Sequence, residues 1–339
     1  MKQRLWTGIA AAFGMLLMIL DTKTALIGAQ DGLRLCIMTV VPSLLPFIFL
    51  SNLLTSALTG TNSKIVNRLG DIMHMPHGSA SLFLVGALGG YPTGAQIVAT
   101  AYTNKQLFKA DAQRLLGFCS NAGPSFIFGI TAMYFTEAHI PWILWCIHLV
   151  SAFLTGIVLP GGSSHVRTIK RSAPLSFSDS LKRSVSVMAQ ICGWIILFRV
   201  ILAFISRWFL WLCTTELQVF IKGIAELTIG CTSLSGIQNY GLRFVICAAI
   251  LGFGGICVLM QTASVTAELG LGMYLPGKIL QCVISVILAF VYQNYAFPIE
   301  SRIHVSPNFY GITIITVIIC LLSIQIYKKR CSIPVTVVV

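Results

Sequence analysis

The sequence predicts an all-α polytopic membrane protein, with about eight transmembrane helices and two re-entrant hairpins in an inverted repeat. Three observations predict it. Of the 339 residues, 56% are hydrophobic and only 10% are charged, against roughly 25% charged in a soluble domain. The mean hydropathy is +0.85. Apolar runs long enough to cross a bilayer recur along the chain, and four apolar stretches are interrupted by Gly, Pro or Glu in matching order. Composition excludes a soluble enzyme, a disordered tail and a fibrous repeat, and makes the lipid bilayer the first partner. A net charge of +13 would suggest nucleic acid in a soluble protein. Here the positions of the charges orient the chain, and no nucleic-acid partner is expected.

The elements follow in order. The run 5–20 follows Lys2 and Arg4 and reads as an uncleaved anchor helix within 1–30. The first repeat, 31–160, opens with the span 33–58. Its stretch 81–102 holds Gly89-Gly90-Tyr91-Pro92-Thr93-Gly94 at the middle, which cannot be the centre of a straight helix. Two half-helices and a turn fit instead, a re-entrant hairpin. The helix 115–135 is broken at Asn121-Ala122-Gly123-Pro124, and the span 142–159 closes the half. A polar, basic linker, 161–183, separates it from the second repeat, 184–300. That repeat runs through the span 184–206, a hairpin 216–239 around Glu226 and Gly230, a helix 243–267 broken at Gly254-Gly255, and the span 278–297. The last helix, 309–327, and its basic tail lie within 301–339.

The basic residues give the orientation. With the N-terminus in the cytoplasm and each hairpin returning to its side of entry, sixteen of the 23 Lys and Arg fall inside, among them Arg114, Lys278, Lys328, Lys329 and Arg330. Six fall outside: Lys23, Arg34, Arg207, Lys222, Arg243 and Arg302. That bias follows the positive-inside rule and leaves both termini cytoplasmic. The two hairpins then enter from opposite sides, which is the mark of a secondary transporter with its substrate site near the midplane.

Candidate site residues cluster at the interruptions. Pro92 suits a first helical turn, because its missing N–H is not needed there. Gly94 and Gln96 open the half-helix that follows, with Gly90, Tyr91 and Thr93 at the tip. Pro124 repeats the device after Ser120, Asn121 and Gly123. Free amides and the positive end of a helix dipole at both places suit a carboxylate or another small organic anion. From the second half come Glu226, Thr228 and Gly230, then Gly254, Gly255 and Gln261. An acidic residue inside apolar sequence is costly and suggests function, here a coupling cation, a proton relay or a substrate contact. Arg199 lies inside a span, either as a counter-charge or snorkelling to the headgroups.

Enzyme chemistry is not expected. HExxH, GxSxG, Walker A and CxxC motifs are missing, and all five Asp residues, including Asp31, Asp71, Asp111 and Asp179, are assigned to loops. Most of the 11 cysteines lie in apolar runs, where Cys acts as a small hydrophobe. His74 and His77 have no third ligand nearby, so no metal site is expected. Without an ATP-binding segment, active transport needs a gradient, and Na⁺ or H⁺ is the coupling ion to consider; no other cofactor is implied.

The motifs together resemble a known family. Pro42-Ser43-Leu44-Leu45-Pro46-Phe47, Gly90-Tyr91-Pro92-Thr93-Gly94-Ala95, Cys119-Ser120-Asn121-Ala122-Gly123-Pro124-Ser125-Phe126, Glu226-Leu227-Thr228-Ile229-Gly230 and Phe253-Gly254-Gly255 with Gln261 resemble the YlbJ, or SpoVV, sporulation integral membrane proteins. Their "nucleoside recognition" or gate domains carry this order. The resemblance covers about 30–300. It implies a fold similar to concentrative nucleoside transporters, a location in the outer forespore membrane, and movement of dipicolinic acid from the mother cell toward the forespore. It also leaves a homo-oligomer open. A Na⁺- or H⁺-coupled nucleoside or nucleobase carrier is the alternative within transport. A non-transporting sporulation scaffold is the alternative of another class.

Overall fold

A computed structural model describes residues 2–58, 63–161, 175–266 and 268–303. The expected helix 309–327, the tail at Lys328-Lys329-Arg330, most of the linker 161–183 and Ala267 lie outside these residues. Among the described residues the chain is helical, without strands.

The helix α1 (Lys2–Leu20) is followed by α2 (Thr22–Leu35), a π turn (Cys36–Val40) and α3 (Val41–Leu58). The last three form one continuous 37-residue run. The sequence reading began this span at 33 and ended the anchor segment at 30, a boundary that falls inside α2. Gly28 and Gly32 explain the extension. A Cβ on either would stand 2.9 Å from a Cα of the opposite helix, at Val200 and Ile196 respectively. Small residues four apart let two backbones approach this closely, so 22–32 packs as helix instead of looping. The π turn precedes Pro42, whose missing N–H leaves the carbonyl of Met38 without its helical partner.

The first interrupted region is a short amphipathic helix, α4 (Lys64–Ile72), then α5 (Ala80–Gly89) and α6 (Thr93–Thr103). Next come α7 (Lys109–Cys119), α8 (Pro124–Gly129) and the long α9 (Ile140–Val158). The second half opens with α10 (Phe177–Trp208), capped by the Ser176 hydroxyl on the amide of Asp179. It continues through α11 (Thr215–Ala225), α12 (Leu227–Thr232), α13 (Tyr240–Phe253), α14 (Gly255–Val265) and α15 (Tyr274–Ala296). Among the described residues, five apolar stretches are long enough to cross a membrane: Thr22–Leu58, Ile140–Val158, Phe177–Trp208, Tyr240–Val265 and Tyr274–Ala296. Leu5–Leu20 and Ala80–Gly89 are shorter apolar helices.

The interior holds two large apolar clusters. Phe118 and Cys119 belong to one, Ala122 and Phe126 to the other, so the α7–α8 break carries the chain between them. Several charges sit elsewhere than the sequence suggested. Asp31, Asp71, Asp111 and Asp179 lie within helices and not in loops. Asp31 stands 3.8 Å from Arg199, which gives that arginine a partner on the neighbouring helix. Arg114 and Lys278, assigned to the cytoplasmic surface, are 3% and 0% exposed. Arg114 is a staple. Its guanidinium donates to the carbonyls of Leu159 (3.1 Å), His74 (3.2 Å), Met73 (2.8 Å) and Gly156 (2.6 Å).

Candidate functional site

Each interruption is built by local backbone chemistry. Gly90 ends α5 at φ +71°, a left-handed conformation that side chains resist. Tyr91 and Pro92 turn the chain, and α6 starts at Thr93. Gly123 caps α8 and Pro124 occupies its first turn. Glu226 separates α11 from α12, and its carboxylate accepts the amide of Ile229 at 2.6 Å. Gly254 and Gly255, at φ +83° and +88°, separate α13 from α14.

The four interruptions meet. A Cβ on Gly123 would lie 2.9 Å from the Cα of Gly90, one on Gly254 2.8 Å from the Tyr91 hydroxyl, and one on Gly255 3.2 Å from the amide of Leu227. The first three, at Gly90-Tyr91, Gly123 and Glu226, line a partly open cavity of about 50 Å³, and the fourth packs behind it. Gly90, Tyr91, Gly123, Glu226, Thr228 and Gln261 line it, with Ser125 adding a hydroxyl. Leu44 and Ile48 of α3, Ile191 of α10 and Val258 of α14 supply apolar wall. Glu226 is 2% exposed, so its carboxylate faces the cavity with little water around it. It also occupies the positive end of α12, which is therefore closed to an incoming anion.

The other candidates stand behind this wall. Pro92 and Thr93 shape the tip, and Gln96 lies further along α6. Gly94 is a packing seat: a Cβ there would come 2.2 Å from the carbonyl oxygen of Cys119. Gly230 likewise presses on Gly223, at 2.2 Å from its Cα. Gly254 and Gly255 provide the break and the close approach to Tyr91 and Leu227, without lining the cavity. Asn121 is fully buried and holds the break in place, donating to the Phe118 carbonyl at 2.7 Å. Ser120 is buried beside it, and Pro124 is half-buried.

Two participants escaped the sequence reading. His148 of α9 accepts the amide of Ala122 on Nε2 at 3.0 Å, so the α7–α8 break is capped from another helix. Lys278 of α15 donates to the Gln281 side chain at 2.6 Å and to the Tyr91 hydroxyl at 3.3 Å. Gln281 in turn donates to Asn121 at 3.0 Å. A lone His in an apolar run and a Lys at the start of a span carry little signal by themselves. Among the described residues, no group of three or more His, Cys, Asp or Glu is placed to hold a metal ion.

The chain is similar to the sporulation integral membrane protein YlbJ of Bacillus subtilis (strain 168), with 25% identity over 285 residues, 71% of this chain and 70% of that protein. No family model and no solved structure matches the chain.

Proposed function

We propose that this YlbJ-like integral membrane protein is a secondary transporter of a small organic anion, with a role in sporulation and dipicolinate as its substrate. In this reading it sits in the outer forespore membrane and moves dipicolinate from the mother cell toward the forespore. One observation carries the reading: four separate helix breaks from both halves of the chain meet, and three of them line one cavity with a carboxylate in its wall. Broken backbone at that depth is tolerated where it lines a cavity, and discontinuous segments in both halves are how inverted-repeat carriers build a substrate site. The YlbJ likeness supports the sporulation setting.

The residues then take distinct roles. Gly90 and Gly123, with no side chains, let the backbone of two breaks form part of the cavity wall. Thr228, Ser125 and Gln261 offer neutral hydrogen bonds. Glu226 is the coupling group: an anion arriving beside its buried carboxylate is repelled unless a proton or Na⁺ arrives with it. Substrate and ion therefore cross together. The protein is a carrier and not an enzyme.

A nucleoside or nucleobase carried with Na⁺ or H⁺ is the second reading. The wall itself favours it, because the lining holds Glu226, Thr228 and Gln261 and no Lys or Arg. Uptake of labelled dipicolinate into proteoliposomes, challenged with excess uridine or adenine, separates the two. Uptake that nucleosides leave unchanged supports the anion carrier. Uptake of uridine in place of dipicolinate gives the second reading, and uptake of neither gives the scaffold.

A further inference from the structure

We propose that Lys278 is the carboxylate-pairing residue of the transport site, standing behind the Tyr91 side chain that separates it from the cavity. The inference rests on the anion-carrier reading and names the one cation that site can use. An anion carried through the membrane interior needs a positive partner, yet the cavity wall has none. Among the described residues, two cations are almost wholly buried, Arg114 and Lys278. Arg114 is committed to four backbone carbonyls. Lys278 is not. Its ammonium has two polar contacts, the Gln281 amide oxygen and the Tyr91 hydroxyl, and no carboxylate within ion-pair distance among the described residues.

A buried ammonium without an acidic partner is costly inside a membrane protein. The surroundings of Lys278 are arranged to hold it regardless. Gln281 is fixed by donation to Asn121 and to the His148 carbonyl. The ammonium also lies 5.3 Å from the centre of the Tyr91 ring and 6.0 Å from that of Tyr274, so aromatic faces replace part of its hydration. This network ties α15 to the α7–α8 break through Asn121 and to the first hairpin tip through Tyr91. The polar lining is incomplete: His148 Nδ1 is buried without a partner among the described residues. Since His148 Nε2 accepts an amide proton, a neutral ring carries its own proton on Nδ1, aimed at nothing.

Tyr91 is the shared element. It lines the cavity, its hydroxyl touches Lys278, and the same hydroxyl bears on Gly254. Rotation of this one side chain would expose the ammonium to a carboxylate already in the cavity. Reception then precedes charge selection: Gly90, Gly123 and Gln261 receive the molecule, and pairing with Lys278 distinguishes a carboxylate from a neutral analogue.

The test measures calorimetric binding of dipicolinate and of its uncharged diamide to the purified full-length protein. Wild type, Lys278→Met and Lys278→Gln are compared, each with its melting temperature. Wild type should prefer the dianion by roughly a hundredfold or more, and both variants should lose that preference while melting no lower than wild type. Retained preference in a folded variant overturns the pairing role and leaves the carrier reading standing. Equal wild-type binding of dianion and diamide also overturns it, without any variant. Wild type that binds neither compound refutes the anion carrier, and Lys278 pairing with it.

Discussion

A Cβ placed on Gly123 would stand 2.9 Å from the Cα of Gly90, so two interruptions about thirty residues apart meet backbone to backbone. The contact leaves no room for a side chain on either partner. Gly123→Ala should lower stability by about 1–3 kcal/mol through overpacking, read as a drop in melting temperature in detergent. Gly8→Ala and Gly14→Ala are the controls. Nothing lies within 4 Å of a Cβ at either position, so both should leave the melt unchanged or raise it.

Gly254 and Tyr91 are coupled in the same manner. Gly254→Ala meets both a left-handed backbone and the Tyr91 hydroxyl at 2.8 Å. The backbone part alone costs about 1–2 kcal/mol. Tyr91→Phe removes the oxygen that the new methyl strikes. The double variant should therefore be more stable than the sum of the single changes predicts, by about 0.5 kcal/mol or more. A double-mutant cycle of melting free energies checks it, and strict additivity would deny the contact.

Glu226 has two separable roles. As a cap it accepts the Ile229 amide, and Glu226→Ala should cost about 0.5–2 kcal/mol. Glu226→Gln keeps an acceptor oxygen and loses the charge. It should fold like wild type and lose ion-coupled uptake, as proteoliposome flux at matched protein density will show.

Arg114 holds four carbonyls that have no water to turn to. Arg114→Met should destabilise by about 3 kcal/mol or more, seen as lower melting and lower yield from membranes. Arg114→Lys should not rescue it, because one ammonium cannot reproduce the guanidinium's planar fork of donors.

In the loop before α9, outside the spans, Glu137 accepts a hydrogen bond from the hydroxyl of Tyr240, the first residue of α13. That bond, with a smaller share from Thr136, holds the Glu137 carboxyl below its ordinary value. A carboxyl depressed in the folded state stabilises above its unfolded pKa, and the contribution disappears as pH falls through the folded one. Melting temperature should therefore fall on acidification below about pH 4.3. Tyr240→Phe should flatten that slope, and an unchanged slope would assign it to other carboxylates.

How much of this was legible in the sequence follows from where each signal resides. Gly90, Gly123, Glu226 and Gly254 announce their breaks locally, because each opposes a straight helix through its own backbone or charge. The cavity lined by the first three follows once those breaks are brought together. Lys278 carries no such signal. It sits one turn into a span after Pro276-Gly277 and reads as a cytoplasmic flank. Its burial comes from tertiary packing: a Cβ on Gly277 would stand 2.4 Å from the Gly117 carbonyl, which draws the start of α15 against α7. Arg114 is hidden on the same terms, by carbonyls from α9 and the loop after α4. The helical course of 22–32 was not readable, because a charged, Gly-containing segment between apolar runs looks like a loop until the helix packed on Gly28 and Gly32 is known. Gly94 announces a break that is real, although its own place is in packing and not in the wall.

The most direct test of the carrier is the dipicolinate content of spores from a strain lacking this protein, complemented with wild type or with Glu226→Gln. The account predicts dipicolinate made in the mother cell, missing from the spore, and restored by wild type alone. Normal spore dipicolinate in the uncomplemented strain would contradict it.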